Sequence, residues 1–77
     1  MFEPIHLLRQ DAARNMARYY HLELRPDLFG GVVLNRRWGR IGANGQSKLE
    51  WFADPAAAQE ASAALLARKT KRGYTPG

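Results

Sequence analysis

The stretch of sequence that decides the fold is VVLNRRWGRIGANGQSKLEWFA, residues 32–53. Apolar and polar residues alternate on both sides of a turn at residues 42–45, which contains the strong hairpin signal Asn-Gly. The alternation predicts one strand over residues 32–38 and another over residues 46–53. The first strand places Val32, Leu34, Arg36 and Trp38 on one face, and Val33, Asn35 and Arg37 on the other.

Two further strands are predicted before this hairpin. The first covers about residues 5–9 and is followed by a polar break at residues 11–15. The second covers residues 16–25, where Tyr20, Leu22 and Leu24 alternate with polar neighbours. Residues 26–31, Pro-Asp-Leu-Phe-Gly-Gly, then form a turn, because proline cannot continue a strand ladder and glycine adopts positive φ readily.

The pattern changes after residue 53 and predicts a helix. Asp54 is suited to cap the helix and Pro55 to occupy its first position. The buried stripe is predicted to contain Ala57, Ala58, Ala61, Ala64 and Leu65. Gly73 is predicted to end the helix and to leave residues 74–77 as a tail. The predicted fold class is α+β: one domain over residues 1–77, with an antiparallel four-stranded sheet and one C-terminal helix on one face.

Composition narrows the class of partner. The 77 residues are enough for one domain with a modest core, and no cysteine is present for disulfides or thiolate metal sites. A net charge of +5 and a pI near 10.3 favour an anionic partner, with nucleic acid ahead of a membrane surface. The absence of an apolar run of signal-peptide or membrane-spanning length predicts a cytoplasmic protein.

Catalysis and metal binding find little support. Neither Ser47 nor Ser62 has a His or Asp partner that the sequence can place, so no enzyme and no cofactor is expected. His6 and His21 fall on neighbouring predicted strands, and Glu23 shares a face with His21, so a metal site of these three residues is conceivable. Two half-exposed strand histidines are the simpler interpretation, and no metal is predicted.

Trp38 is the candidate for ligand contact, because it ends its predicted strand between arginines and beside a glycine-rich turn. The alternative is a tryptophan packed in the core, the role expected of Trp51 on the next strand. An indole can stack on a base and neighbouring cations can neutralise phosphates. The predicted nucleic-acid site comprises Trp38, Gly39, Arg40, Arg36, Arg37, Lys48, Lys69, Lys71 and Arg72. The cations among residues 68–72 have an equally good structural role, since they complement the dipole at a helix C-terminus.

These residues carry a resemblance to a known family. The segments concerned are Trp38-Gly39-Arg40-Ile41-Gly42, Arg14-Asn15 with Tyr19-Tyr20, residues 26–31, Trp51-Phe52, and an alanine-rich helix ending Lys71-Arg72-Gly73-Tyr74. Over about residues 3–74 the chain resembles the WGR domain of DNA-dependent poly(ADP-ribose) polymerases, which also occurs in small or multidomain bacterial proteins. It is most similar to the bacterial stand-alone form.

The resemblance implies a non-catalytic domain with a sheet packed on one helix, and contact with DNA ends, nicks or duplex backbone. By analogy, Trp38 would stack on a sugar or base, Gly39 would permit close approach, and Arg40 would bind phosphate or a protein. No transferase, zinc-finger or regulatory domain is present, so coupling of DNA binding to catalysis is not implied. RNA remains an alternative to DNA, and docking of a protein partner through the same edge is the second function considered. Neither a membrane nor a small-molecule substrate is expected.

Overall fold

Five strands form one antiparallel sheet within residues 3–77, the residues that the computed structural model describes. The elements are β1 Ile5–Asp11, β2 Met16–Pro26, β3 Val32–Arg40, β4 Gln46–Phe52, α1 Pro55–Lys71 and β5 Thr75–Pro76. Their order across the sheet is β4-β3-β2-β1-β5. The polar break between β1 and β2 is a single 3₁₀ turn, Ala12–Arg14, closed by Asn15 in the left-handed region at φ 51°. The predicted fold class is confirmed in outline, with α1 packed on one face of the sheet.

The sheet has a fifth strand, so the predicted four-stranded sheet was wrong. After α1, Gly73 reverses the chain at φ +96° and Tyr74 returns to the core with 8% exposure. Its ring meets the ring of Tyr20 edge-on, with centroids 6.3 Å apart. Thr75 and Pro76 then pair with β1, so the segment predicted as a tail is part of the sheet.

Helix α1 begins as the sequence predicts but buries a different stripe. The Asp54 side chain accepts a hydrogen bond from the Ala56 backbone at 3.1 Å, and Pro55 is the first helical residue. The buried positions are Ala58, Ser62 and Leu65, whereas the predicted stripe members Ala57 and Ala64 are exposed. The sheet side of the core is formed by Leu7, Tyr20, Leu22, Leu24, Val32 and Leu34. Within residues 3–77, no helix has the length and apolarity needed to cross a membrane.

The β3–β4 connection turns earlier than predicted. The Ala43 backbone donates to the Arg40 carbonyl at 3.0 Å, and Gly42 lies at φ +89°. The turn is therefore Arg40–Ala43 instead of residues 42–45. Asn44 belongs to the return toward β4, where its carbonyl accepts a hydrogen bond from the Tyr19 hydroxyl at 3.0 Å.

Trp51 is not a core residue, and this prediction was wrong. Its side chain is 58% exposed on the face of the sheet away from α1. The indole Nε1 donates to Asp27 Oδ2 at 3.1 Å and to the Gly30 carbonyl at 3.3 Å. The ring therefore closes over the β2–β3 turn while its outer side stays open to solvent.

Candidate nucleic-acid interface

Trp38 lies inside β3, which continues past it through Gly39 to Arg40. The continuation is possible because β2 extends far enough to pair with both residues. Trp38 faces α1 and is half-buried, and its ring stacks on the cross-strand neighbour Tyr20 with centroids 5.9 Å apart and planes inclined by 16°. One side of the indole is thus fixed by the core, and the remainder lines an open cleft.

A row of three arginines crosses the sheet beside Trp38. The strand register places Arg9 opposite Arg18, and Arg18 opposite Arg40. Like charges directly opposite each other on neighbouring strands are destabilising. None of the three forms an ion pair with another side chain of residues 3–77. A bound anion would relieve this repulsion.

The C-terminal end of α1 supplies the opposite wall of the cleft. The Lys69 ammonium lies 4.4 Å from the centroid of the Tyr20 ring and 5.6 Å from that of Tyr74. Burial lowers the pKa of Lys69 below its ordinary value, and the charges of Arg72, Arg68 and Arg36 lower it further. The ammonium is therefore held in a site that already carries an excess of positive charge.

The cleft between sheet and helix has a volume of about 380 Å³. Its lining residues are Arg9, Arg18, Tyr20, Trp38, Gly39, Arg40, Lys69, Arg72 and Tyr74. Five of these are cations and three are aromatic, and no carboxylate is among them. A smaller cavity of about 160 Å³ adjoins it at Arg36, Arg68 and Leu65. Cations gathered around aromatic rings can receive phosphate and a stacked base or sugar together.

Arg36 is already paired, in contrast to the arginine row. Its Nη2 lies 2.8 Å from Glu50 Oε1, and its guanidinium carbon lies 6.0 Å from the centroid of the Trp38 ring. This ion pair holds the guanidinium beside the indole, so Arg36 orients Trp38 more directly than it offers charge to a ligand. Lys48 stands opposite Arg36 on β4 and is exposed.

Three of the predicted site residues line neither the cleft nor the smaller cavity: Lys48, Arg37 and Lys71. Arg37 points to the opposite face of the sheet, where it lines a cavity with Tyr19, His6 and His21. Lys71 is exposed near the end of α1 and lines neither the cleft nor the smaller cavity. The structure thus gathers Trp38, Gly39, Arg40, Lys69 and Arg72 around the cleft, with Arg36 alongside.

Gly39 has a packing requirement of its own. A Cβ at this position would lie 2.7 Å from the Gly45 Cα and 3.5 Å from Tyr19 Cε1. The backbone of the β3–β4 loop therefore occupies the space that a side chain would need. The glycine of the motif is explained by this contact within the chain, whether or not a ligand approaches it.

Four lining residues were absent from the predicted site: Arg9, Arg18, Tyr20 and Tyr74. Period-two alternation along β2 does place Arg18 on the same face as Tyr20, so the sequence held a signal for that residue. Arg9 and Tyr74 join the cleft only through strand register and the return of the C-terminal segment, which no local pattern predicts.

In the metal site considered for His6, His21 and Glu23, the carboxylate is engaged by an arginine. His6 Nδ1 and His21 Nδ1 lie 3.4 Å apart, and His21 Nε2 lies 3.7 Å from Glu23 Oε2. Glu23 Oε1, however, accepts a hydrogen bond from Arg25 Nε at 2.7 Å, and this bond lowers the pKa of Glu23. Among residues 3–77, no group of three or more His, Cys, Asp or Glu side chains has the arrangement of a metal site.

Fold and cleft together define the class: a small α+β domain whose Trp-Gly-Arg tripeptide lies in the third strand beside a basic, aromatic cleft. The sequence matches the WGR domain family over residues 3–77, and the chain belongs to that family. The family assignment drawn from the motif residues is thereby confirmed.

Relatives of the chain are longer proteins. It is 44% identical over 72 residues to the uncharacterised protein y4dW of Sinorhizobium fredii, covering 94% of this chain and 35% of that protein. It is 46% identical over 44 residues to protein YehF of Escherichia coli, covering 57% of this chain and 16% of YehF. A crystal structure of a Bacteroides fragilis protein shares the fold with a TM-score of 0.82 at 24% identity, over 97% of this chain and 19% of that one. The chain thus spans about a third or less of each of these relatives.

Proposed function

We propose that the domain is a non-catalytic nucleic-acid-binding module that receives a DNA end, nick or duplex backbone in the cleft beside Trp38. The observation that carries the proposal is the row of Arg9, Arg18 and Arg40, which repel one another across three strands and have no acidic partner within residues 3–77. Phosphate groups would neutralise this row, and the stacked Trp38–Tyr20 pair would contact a sugar or base.

Each part of the cleft has a distinct task in this proposal. The arginine row and Arg72 bind phosphates, while Lys69 completes the charge from the helix side. Trp38 presents its free edge and face to the terminal or unstacked nucleotide, and Arg36 keeps the indole in place. Lys48 and Lys71 would contact phosphates that flank the cleft. Arg37 is left out because it lies on the other face of the sheet.

Contacts of this kind recognise backbone and stacking surfaces more than base sequence. Specific readout in the major groove requires a helix or ribbon that reaches base edges. Here the cleft lies between the sheet and the end of α1, and five of its nine lining residues are cations suited to phosphate. We therefore expect little dependence of affinity on DNA sequence.

The test is fluorescence anisotropy with three labelled DNAs over a salt series. One is a duplex closed by hairpins at both ends, one carries a 5′-phosphorylated nick, and one has a free blunt end. Neutralising four to five phosphates gives a slope of log affinity against log salt of roughly −4. Preference for the nick or the end, with loss of binding in Trp38→Ala, supports the proposal.

Two other outcomes would contradict the proposed recognition of DNA breaks. Equal, weak binding to all three DNAs would leave a merely basic surface without recognition of a break. No binding even at low salt would favour docking of a protein partner at the same edge. A blunt-ended RNA duplex of the same sequence separates RNA binding from DNA binding, which is needed because stacking and phosphate contacts serve both.

A further inference from the structure

Strand β4 forms an open edge of the sheet. It stands last in the strand order and pairs with β3 on one side, while its other side has no partner strand within residues 3–77. The strand has seven residues, Gln46–Phe52, every second of which turns its backbone N–H and C=O to the free side, and residues 46–49 are all exposed. Natural edge strands usually carry a device against pairing with another chain, and charged side chains are one such device.

The charges on β4 do not block self-pairing, because they complement each other about the middle of the strand. Leu49 is the central residue of β4, with Lys48 before it and Glu50 after it. If two copies of β4 pair antiparallel about Leu49, Lys48 of each copy stands opposite Glu50 of the other. All seven residues then find a partner. Opposite charges directly across two strands are stabilising, and like charges are destabilising.

The neighbouring registers are excluded by the same charges. A register centred on Lys48 sets two lysines opposite each other, and one centred on Glu50 sets two carboxylates opposite each other. Shifting by a single residue between the copies would turn the side chains of one strand to the wrong face. Among antiparallel pairings, the pattern Lys-Leu-Glu therefore selects the register centred on Leu49.

We propose that β4 is a homodimerisation edge, at which a second copy of this chain adds its own β4 antiparallel about Leu49. Glu50 can join this contact without losing its partner, since Arg36 Nη2 lies 2.8 Å from Oε1 and the carboxylate has a second oxygen for the lysine of the other copy. The proposal is independent of what the basic cleft binds.

Pairing would also cover the apolar side chains that β4 leaves in solvent. Leu49 and Trp51 are 68% and 58% exposed on the same face of the strand. In the proposed register Leu49 meets Leu49 of the second copy, and Trp51 meets Ser47 of the second copy. The two-fold axis is perpendicular to the sheet, so both copies carry α1 and the basic cleft on the same side of a continuous ten-stranded sheet.

The first test exchanges the charges and measures sedimentation in the absence of DNA. An interface of one strand pair is small, so the wild-type protein should show a concentration-dependent increase in mass between about 10 µM and 1 mM. Lys48→Glu and Glu50→Lys should each weaken the dimer about tenfold or more by placing like charges opposite each other. The double exchange Lys48→Glu, Glu50→Lys restores opposite charges and should restore the dimer.

The charge exchange has clear contrary results. A wild-type protein that remains monomeric over the whole range overturns the proposal, as do single variants that dimerise like the wild type. A double exchange that stays monomeric does the same. Loss of the dimer in Lys48→Glu cannot be attributed to misfolding of the monomer, because a carboxylate at position 48 would stand opposite Arg36 and should not destabilise the fold.

The second test uses the absence of cysteine from the sequence. In the proposed register the Cα atoms of residue 49 in the two copies come within about 6 Å, which a disulfide can bridge. Leu49→Cys should therefore form a disulfide-linked dimer under mild oxidation. The matched control is Ser47→Cys, exposed on the same face, whose two copies would lie about 13 Å apart. Equal cross-linking of the two variants, or none in Leu49→Cys, would contradict the register.

Discussion

The two faces of the sheet carry the same residue types in opposite arrangements. On the helix face, Trp38 stacks on Tyr20 beside three arginines that have no ion pair within residues 3–77. On the outer face, the indole nitrogen of Trp51 is held by Asp27, and Arg25 is held by Glu23 at 2.7 Å. Tryptophans and arginines are present on both faces, but the helix face gathers five cations around its rings, whereas Arg37 is the one arginine of the described residues beside the ring of Tyr19 in the outer-face cavity. Pairing, more than composition, distinguishes a candidate interface from an ordinary surface.

The largest difference between the faces should be in stability. Leu34 is fully buried on the helix face, whereas Leu49 is 68% exposed on the outer face. We expect Leu34→Ala to lower the free energy of unfolding by about 2–5 kcal/mol, through lost burial and the cavity left behind. Leu49→Ala should change it by no more than about 0.5 kcal/mol. Urea unfolding at low micromolar protein concentration measures both, and similar losses would mean that the outer face is covered in solution.

Replacing each tryptophan in turn tests whether DNA binds to the helix face or to the outer face of the sheet. Trp38→Ala should weaken binding to nicked or blunt-ended DNA by about 10- to 100-fold, the usual contribution of one aromatic stacking contact. Trp51→Ala should leave the affinity within about twofold, since its ring lies on the outer face. Anisotropy on variants whose far-UV circular dichroism matches the wild type gives the answer. Equal effects would remove the special role of Trp38.

A matched pair of arginines tests the charges. Arg40→Gln removes one member of the unpaired row, and Arg37→Gln removes an arginine three positions away on the other face. For Arg40→Gln we expect a roughly 3- to 10-fold loss of affinity and a salt slope smaller by about one. Arg37→Gln should keep the wild-type slope. If both substitutions reduce the salt slope equally, DNA binding depends on the net charge of the protein and not on the arginines of the cleft.

The smallest effect should come from Lys69. Burial and nearby guanidinium groups lower its pKa in the free protein, and a bound phosphate would favour the ammonium and raise that pKa again. Binding would then take up a proton at alkaline pH, so affinity should be level near neutrality and decline a few-fold as pH rises through the pKa of free Lys69. Anisotropy from about pH 7 to 10 checks this sign against the ordinary lysine value of about 10.4. Lys69→Arg, which stays charged, should abolish the decline, and a decline that persists in this variant would assign it to another group.

Capping residues and hydrophobic alternation predicted most of the helix and strand positions, but they did not predict how these elements pack together. The start of α1 at Asp54 and Pro55 follows from capping chemistry, and the faces of β2 and β3 follow from alternation. β5 escaped prediction because two residues, one of them proline, carry no periodicity. Its position depends on Tyr74 finding a place beside Tyr20.

The misplaced Trp51 shows a limit of alternation. Alternation along β4 sets Trp51 and Leu49 on one side of the strand and Lys48 and Glu50 on the other, and the structure has the same two sides. Alternation could not say which side lies toward α1. At the edge of the sheet the apolar side points outward, while charged residues lie on the helix side, where Glu50 binds Arg36.

The sequence predicted those residues of the cleft that are close to one another along the chain. Trp38 and Arg40 stand together in the chain, and Lys69 and Arg72 stand together at the end of a helix. Arg9 completes the arginine row from another strand, and only the strand register aligns it with Arg18. A site assembled from three strands and a helix end requires the fold before its full set of cations can be named.

The pairing of β5 with β1 brings the two ends of the described chain together. The Gly77 backbone donates to the His6 carbonyl at 3.0 Å, so the two ends of the described chain leave the fold side by side. They do so at the edge of the sheet opposite β4. A short linker could therefore join them, and new termini could be opened in the exposed turn at Leu28 and Phe29. Such a circular permutant should fold with the cleft intact, and the same adjacency would let the domain be inserted into a longer polypeptide as a cassette.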